Sequence, residues 1–163
     1  MARSLSHFLM VITFLTVTAD QSKCRNGWNF FRGFCYYVGG DDSTFSDAES
    51  SCRRLDSRLV TLTSPGENAF IKSILKDDDA TGAWFDFIFI QRDLRFRWDN
   101  SWGASISFTD WANNETEINI DLPQYPGFIM KLQCASFSKQ HDWAWEPKAC
   151  DDSVGMKYVC KRG

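Results

Sequence analysis

The chain has little of what most catalytic chemistry requires. Only two histidines occur among its 163 residues, and His141 alone lies beyond the first 19. There is no C-x-x-C pair, which excludes a zinc site of the usual cysteine and histidine spacing. No H-E-x-x-H helix and no phosphate loop are present. The segment GASIS (103 to 107) lacks the second glycine of a nucleophile elbow. His141 has Asp142 beside it, but a single loop histidine without a nucleophile is a poor general base. These absences point away from an enzyme.

Long apolar runs are also missing, with one exception. Arg3 is followed by FLMVITFLTVTA (8 to 19), and Val17-Thr18-Ala19 suits signal peptidase. The run is too short to span a bilayer and reads as a secretory signal peptide. The expectation is a signal at residues 1–19, then a single domain at 20–163, secreted and extracellular, with no membrane insertion. Removal of the signal takes away Arg3, which leaves 17 basic against 21 acidic residues, a net charge of about −4. Nucleic-acid binding is therefore not expected, since it needs a basic face to displace counterions. No internal repeat or low-complexity segment occurs. Residues 1–23 hold no collagen-like or heptad pattern, so the sequence supplies no basis for an oligomeric state.

What is abundant is cysteine and aromatic side chains. Six cysteines follow the signal, and 15% of the chain is aromatic, with seven tryptophans. An even cysteine count in a secreted chain implies disulfides, and counting leaves all 15 connectivities open.

The periodicity is mixed. Residues 24–42 are punctuated by Gly33, Gly39 and Gly40 and read as a small hairpin. A helix is expected in STFSDAESSCRRL (43 to 55), capped by Ser43 or Thr44, with Phe45, Ala48, Cys52 and Leu55 at helical spacing. A second follows in SPGENAFIKSIL (64 to 75), where Ser64, Pro65 and Glu67 form a capping box. Between them RLVTLT (58 to 63) reads as a strand. WFDFIFI (84 to 90) is a nearly continuous apolar strand. LRFRW (94 to 98) alternates, with Arg95 and Arg97 on one face, read as a solvated face in preference to a heparin-like patch. Residues 99–127 lack regular pattern, and a loop of that length in a compact domain is usually functional. Strands resume at 128–138 and 157–161. The fold class is α+β.

These residues, taken in order, resemble the long form of the C-type lectin-like domain across the whole of 20–163. Cys24-x10-Cys35 resembles the extra amino-terminal pair of that form. Phe45, Ala48 and Cys52 follow, then RLVTLTSPGENAFI. Trp84-Phe85-Asp86-Phe87 stands where the family usually has Trp-Ile-Gly-Leu. Phe108-Thr109-Asp110-Trp111, Cys134, Trp145, Cys150 and Cys160 complete the pattern. The resemblance implies two helices flanking antiparallel sheets, a long irregular loop region, and the bridges Cys24–Cys35, Cys52–Cys160 and Cys134–Cys150.

In sugar-binding members of the family, one calcium ion is held by a Glu-Pro-Asn or Gln-Pro-Asp triplet, a Trp-Asn-Asp stretch and a carboxylate before the intervening cysteine. Calcium is a hard cation that takes about six to eight oxygens. Here the triplet becomes Glu115-Thr116-Glu117, the second stretch Trp145-Glu146-Pro147, and Leu132-Gln133 precede Cys134. The donors left are Glu115, Glu117 and Glu146, with Asp110, Asp121 or Asp142 reachable only in an unusual loop. No metal and no cofactor are expected; Glu115, Glu117 and Glu146 are the calcium candidates if one binds. Asn114-Glu115-Thr116 is a glycosylation sequon, and a glycan on Asn114 would crowd the same surface.

Among the loop aromatics, Trp102 and Trp143 are expected to be exposed and, with Glu115, Glu117 and Glu146, to form the ligand-binding set. The reading is a non-enzymatic recognition protein that binds a protein or glycoconjugate ligand. One alternative is a carbohydrate-binding lectin with a modified calcium loop. The other, a matrix or biomineral component, draws on the aspartates at 41–42, 77–79 and 151–152.

Overall fold

The computed structural model of the chain describes residues 24–40, 42–90, 95–98, 108–112 and 133–163. Strands β1 (Asn29–Phe31) and β2 (Phe34–Gly39) form the expected hairpin. Its two turn residues, Arg32 and Gly33, have φ of 47° and 90°. That left-handed pair matches the twist of a two-residue hairpin; glycine adopts it freely, whereas Arg32 does so at a cost.

Helix α1 (Phe45–Arg54) starts where Thr44 Oγ1 accepts from Asp47 N at 3.2 Å. Phe45, Ala48 and Cys52 fall on its buried face. Helix α2 (Pro65–Leu75) starts at Ser64, whose hydroxyl accepts from Glu67 N at 3.2 Å. The other half of the capping box is displaced by one residue. Glu67 accepts from the backbone N and the hydroxyl of Thr63, both at 2.8 Å. Its carboxylate is drawn there because it also accepts from Tyr36 Oη at 2.6 Å and pairs with Lys161 Nζ at 2.6 Å.

Strand β3 (Arg58–Leu59) is shorter than the 58–63 expected. After Leu59 the chain leaves its partner: Val60 N still donates to Val159 O, while Val60 O accepts from Asp86 N. Strands β4 (Gly82–Ile90), β5 (Arg95–Arg97), β6 (Gln133–Ser138), β7 (Ala144–Ala149) and β8 (Met156–Arg162) complete the described elements. The sheet runs β1-β2-β8-β4-β6-β7, with β3 on β8 and β5 on β4. Pairing is antiparallel except between β4 and β8.

The apolar run of β4 is buried on both faces. Ala83, Phe85, Phe87 and Phe89 enter one cluster, and Trp84 and Ile88 the other. This is the period of two that a central strand requires. The three bridges are Cys24–Cys35, Cys52–Cys160 and Cys134–Cys150, with Cα separations of 5.7, 5.4 and 5.1 Å. They tie residue 24 to the hairpin, α1 to β8, and β6 to the residue after β7. No helix among the described residues is long and apolar enough to cross a membrane.

Two expectations need correction. Trp143 is not exposed; it is 3% accessible and belongs to the larger core cluster. Asp142 and Trp143 both have positive φ, 51° and 61°, and this reversal swings the indole inward. Second, the stretch around Trp145-Glu146-Pro147 is a strand. Pro147 is tolerated because β7 lies at the edge of the sheet order.

Candidate functional site

The base of the long loop is held by one side chain of α2. Asn68 Nδ2 donates to Asp110 Oδ2 at 2.7 Å, and Asn68 Oδ1 accepts from Trp145 Nε1 at 2.9 Å. Lys72, one turn further along α2, pairs with the same Asp110 oxygen at 3.1 Å. The Asp110 carbonyl accepts from Trp145 N at 2.7 Å, and Trp111 bridges Trp145 as a parallel neighbour. Residues 108–112 are thereby sewn to α2 on one side and β7 on the other.

The rings of this region are committed to one another. Trp145 lies 4.9 Å from Phe85, 5.4 Å from Phe108 and 5.7 Å from Trp111 between ring centroids. Phe87 sits 4.3 Å from Trp98. Spacings of this kind add cohesion beyond area burial and leave these faces inside the protein.

Of the five ligand-binding candidates, Glu115, Glu117 and Trp102 lie outside the described residues, as do Asn114 and Asp121. Trp143 is core. Glu146 is on β7 and already has company: Gln140 Nε2 donates to it at 3.2 Å, and His141 Nε2 and Lys148 Nζ stand 3.7 and 3.9 Å away. Asp142 is exposed and faces Lys76 at 3.9 Å. Among the described residues no three His, Cys, Asp or Glu side chains come together. Cationic or amide donors face the described carboxylates at the loop base, Asp110 and Glu146.

Asp86 replaces the glycine the family usually carries. It is wholly buried, and its carboxylate accepts from Thr61 Oγ1 at 2.9 Å. The β4–β6 register shifts between Trp84 and Ile88, so Asp86 occupies an irregularity where a side chain can turn back toward residue 61. Its role is structural.

The aspartate clusters are engaged in turns and ion pairs. Asp42 accepts from Gly155 N at 2.6 Å. Asp78 pairs with Lys157 at 3.0 Å and accepts from Ala80 N at 2.9 Å. Burial pushes the Asp78 carboxyl up, but the Ala80 N–H and the Lys157 ammonium outweigh it and hold it below the ordinary range. Asp152 pairs with Lys148 at 3.3 Å. Asp41 lies outside the described residues. Asp79, 3.6 Å from Lys157, is exposed, as are Asp77 and Asp151.

Glu67 and Asn68, adjacent on α2, organise much of this end of the molecule, and the sequence reading did not single out Asn68. The available signal was a polar stripe, Asn68, Lys72 and Lys76, recurring every four residues along α2 and its C-cap.

Residues 41–162 match the profile of the Lectin C-type domain. The chain is 25% identical over 177 residues to lithostathine-1-alpha of Homo sapiens, covering 99% of this chain and 98% of that protein. It is 28% identical over 141 residues to the secretory phospholipase A2 receptor of Pongo abelii, but spans only 9% of that receptor's length. A solved structure of human lithostathine superposes with a TM-score of 0.64 at 26% identity, covering 85% of this chain and 98% of the other. With the cysteine frame, the sheet order and the two capped helices already in place, the chain belongs to the C-type lectin domain family.

Proposed function

We propose that the chain is a secreted, non-enzymatic recognition domain, residues 20–163 after loss of the signal at 1–19. Its ligand is a protein or glycoconjugate held without the family's calcium-dependent sugar site. The observation that carries this reading is Glu146. It is the one described carboxylate of the aligned calcium stretch, and Gln140, His141 and Lys148 surround it. Beside it Trp145 is buried, with its indole N–H given to Asn68, and Pro147 brings no side-chain oxygen. A cation would have to displace a lysine and a histidine to reach a single carboxylate. A glycan on Asn114 is part of the same proposal.

A glycan array run with and without chelator tests it, together with calcium titration by calorimetry. No calcium site of micromolar affinity, and no chelator-sensitive glycan signal, is the expected result. Chelator-sensitive capture of a defined sugar, or a micromolar calcium site lost on Glu115→Ala, would overturn it in favour of a lectin with a modified loop.

A further inference from the structure

The dipeptide Asn-Gly occurs once in the chain, at residues 26–27, just inside the Cys24–Cys35 bridge. Trp28 N donates to Arg25 O at 3.0 Å and closes a four-residue turn over the pair. Gly27 has a φ of 82°, the left-handed value that the third position of a type II turn demands. The turn therefore explains the glycine. It does not explain the asparagine, since the second position asks only for an ordinary negative φ.

Both residues are exposed, and a side-chain carbon placed on Gly27 would meet nothing within 4 Å. Among the described residues, neither the Asn26 amide nor the Gly27 N–H takes part in a hydrogen bond. Asn68 is the opposite case: it is buried in α2, its amide is spent on Asp110 and Trp145, and Ala69 follows it. Asn29 lies in β1 and is followed by the bulky Phe30.

We propose that Asn26 is a site of spontaneous modification, deamidation through a cyclic imide to isoaspartate and aspartate. Hydroxide takes the Gly27 amide proton, the nitrogen bonds to Asn26 Cγ, and the side-chain amide nitrogen leaves as ammonia. Water then opens the five-membered ring. Breaking the bond from Cγ to nitrogen gives aspartate. Breaking the bond from the main-chain carbonyl to nitrogen gives isoaspartate, with the chain now running through the side chain. Water in and ammonia out balance the exchange, and no electrons are transferred. A side chain on residue 27 would hinder the attack, and glycine has none.

Either product carries a carboxylate ionised at neutral pH. It arises one residue after Arg25, whose guanidinium pairs with Asp56 at 3.3 Å, so a competing anion appears beside an exposed ion pair. Isoaspartate also adds a carbon to the main chain within the turn that Trp28 closes, next to the ring stacked on Tyr37 at 5.3 Å. The site uses no residue of the loop base and is independent of the recognition reading.

The folded, disulfide-bonded chain is incubated at mildly alkaline pH, then reduced, digested and mapped by chromatography and mass spectrometry. The peptide holding Asn26 is expected to be lost in favour of two products of equal mass, one of them labelled by an isoaspartyl methyltransferase. Fragmentation places the change at Asn26, while Asn29 and Asn68 stay intact. Asn26→Gln, at an exposed turn position, folds as the parent and loses the labelled product. An unchanged Asn26 after a free peptide of the same sequence has converted would overturn the proposal, as would conversion of Asn29 or Asn68 in step with Asn26.

Discussion

The side chains of Asn68 and Asp110 meet at 2.7 Å although 42 residues separate them in the chain. The same amide accepts from Trp145 Nε1, 77 residues away, so one side chain of α2 fixes both the entry to the long loop and the strand that follows it.

Replacing that amide tests the arrangement. Asn68→Ala leaves the buried Trp145 N–H without its acceptor and removes a donor from Asp110, which costs about 2–4 kcal/mol. At about 2–4 °C per kcal/mol for a chain of this size, the midpoint of thermal unfolding falls by roughly 10 °C. Asn68→Asp is expected to be worse, because it sets a second carboxylate against Asp110. Calorimetric scans of the two variants check both the loss and its order.

Acid stability depends on Glu67. Burial pushes its carboxyl up, but the Lys161 ammonium, the Tyr36 hydroxyl and the two Thr63 donors outweigh that and hold it below the ordinary glutamate range. A carboxyl whose folded pKa lies below its unfolded value near about 4.3 stabilises the fold above that pH. The contribution is lost as pH falls through the folded value. Unfolding midpoints are therefore expected to decline on acidification through this window. Glu67→Gln should lower stability at neutral pH by roughly 2–4 kcal/mol, less than a fully buried pair would cost, and flatten the acid decline. Tyr36 is the counterpart: burial first, then the adjacent Glu67 carboxylate, push its phenol up. A spectroscopic alkaline titration should find it silent until the protein unfolds.

The bridges are unequal. Cys52–Cys160 closes 108 residues and Cys24–Cys35 only 11. In the chain-entropy account, replacing both cysteines of the long bridge by serine costs about 4–5 kcal/mol, and the short one about 2–3 kcal/mol. Denaturant midpoints of the two double variants should fall in that order. A larger loss for the hairpin bridge would mean that its effect lies in the folded state rather than in chain entropy.

Trp143 separates a core role from a contact role. Trp143→Ala is expected to cost about 3–5 kcal/mol through the cavity it leaves, with Trp143→Phe losing less. Ligand binding, measured below the unfolding transition, should survive in both. A variant of unchanged stability that had lost binding would restore Trp143 to the contact surface.

Much of the local architecture was legible beforehand. Thr44 and Ser64 cap the two helices because short hydroxyl side chains reach an N–H three residues ahead, and that spacing is written in the chain. Strand β4 was legible because a short apolar run buried on both faces differs from a half-exposed strand. The cysteine pairing was not available from counting and entered through resemblance to a family. Strand β7 was missed because Trp145, Glu146 and Pro147 read as a ligand stretch, and only the edge position makes a proline there acceptable. Trp143 stands between Asp142 and Ala144, with no periodicity to announce burial; two left-handed residues turn it inward.

What the sequence alone determined is what acts within a turn or a strand: caps, and periods of two and nearly four. Tertiary structure decided which charges meet. Asp110 faces Lys72, Glu146 faces Lys148, and Glu67 is shared by Tyr36 and Lys161. The reason is physical: a cap needs its partner three residues away, whereas a buried carboxylate takes whichever donor the chain's path brings within about 3 Å.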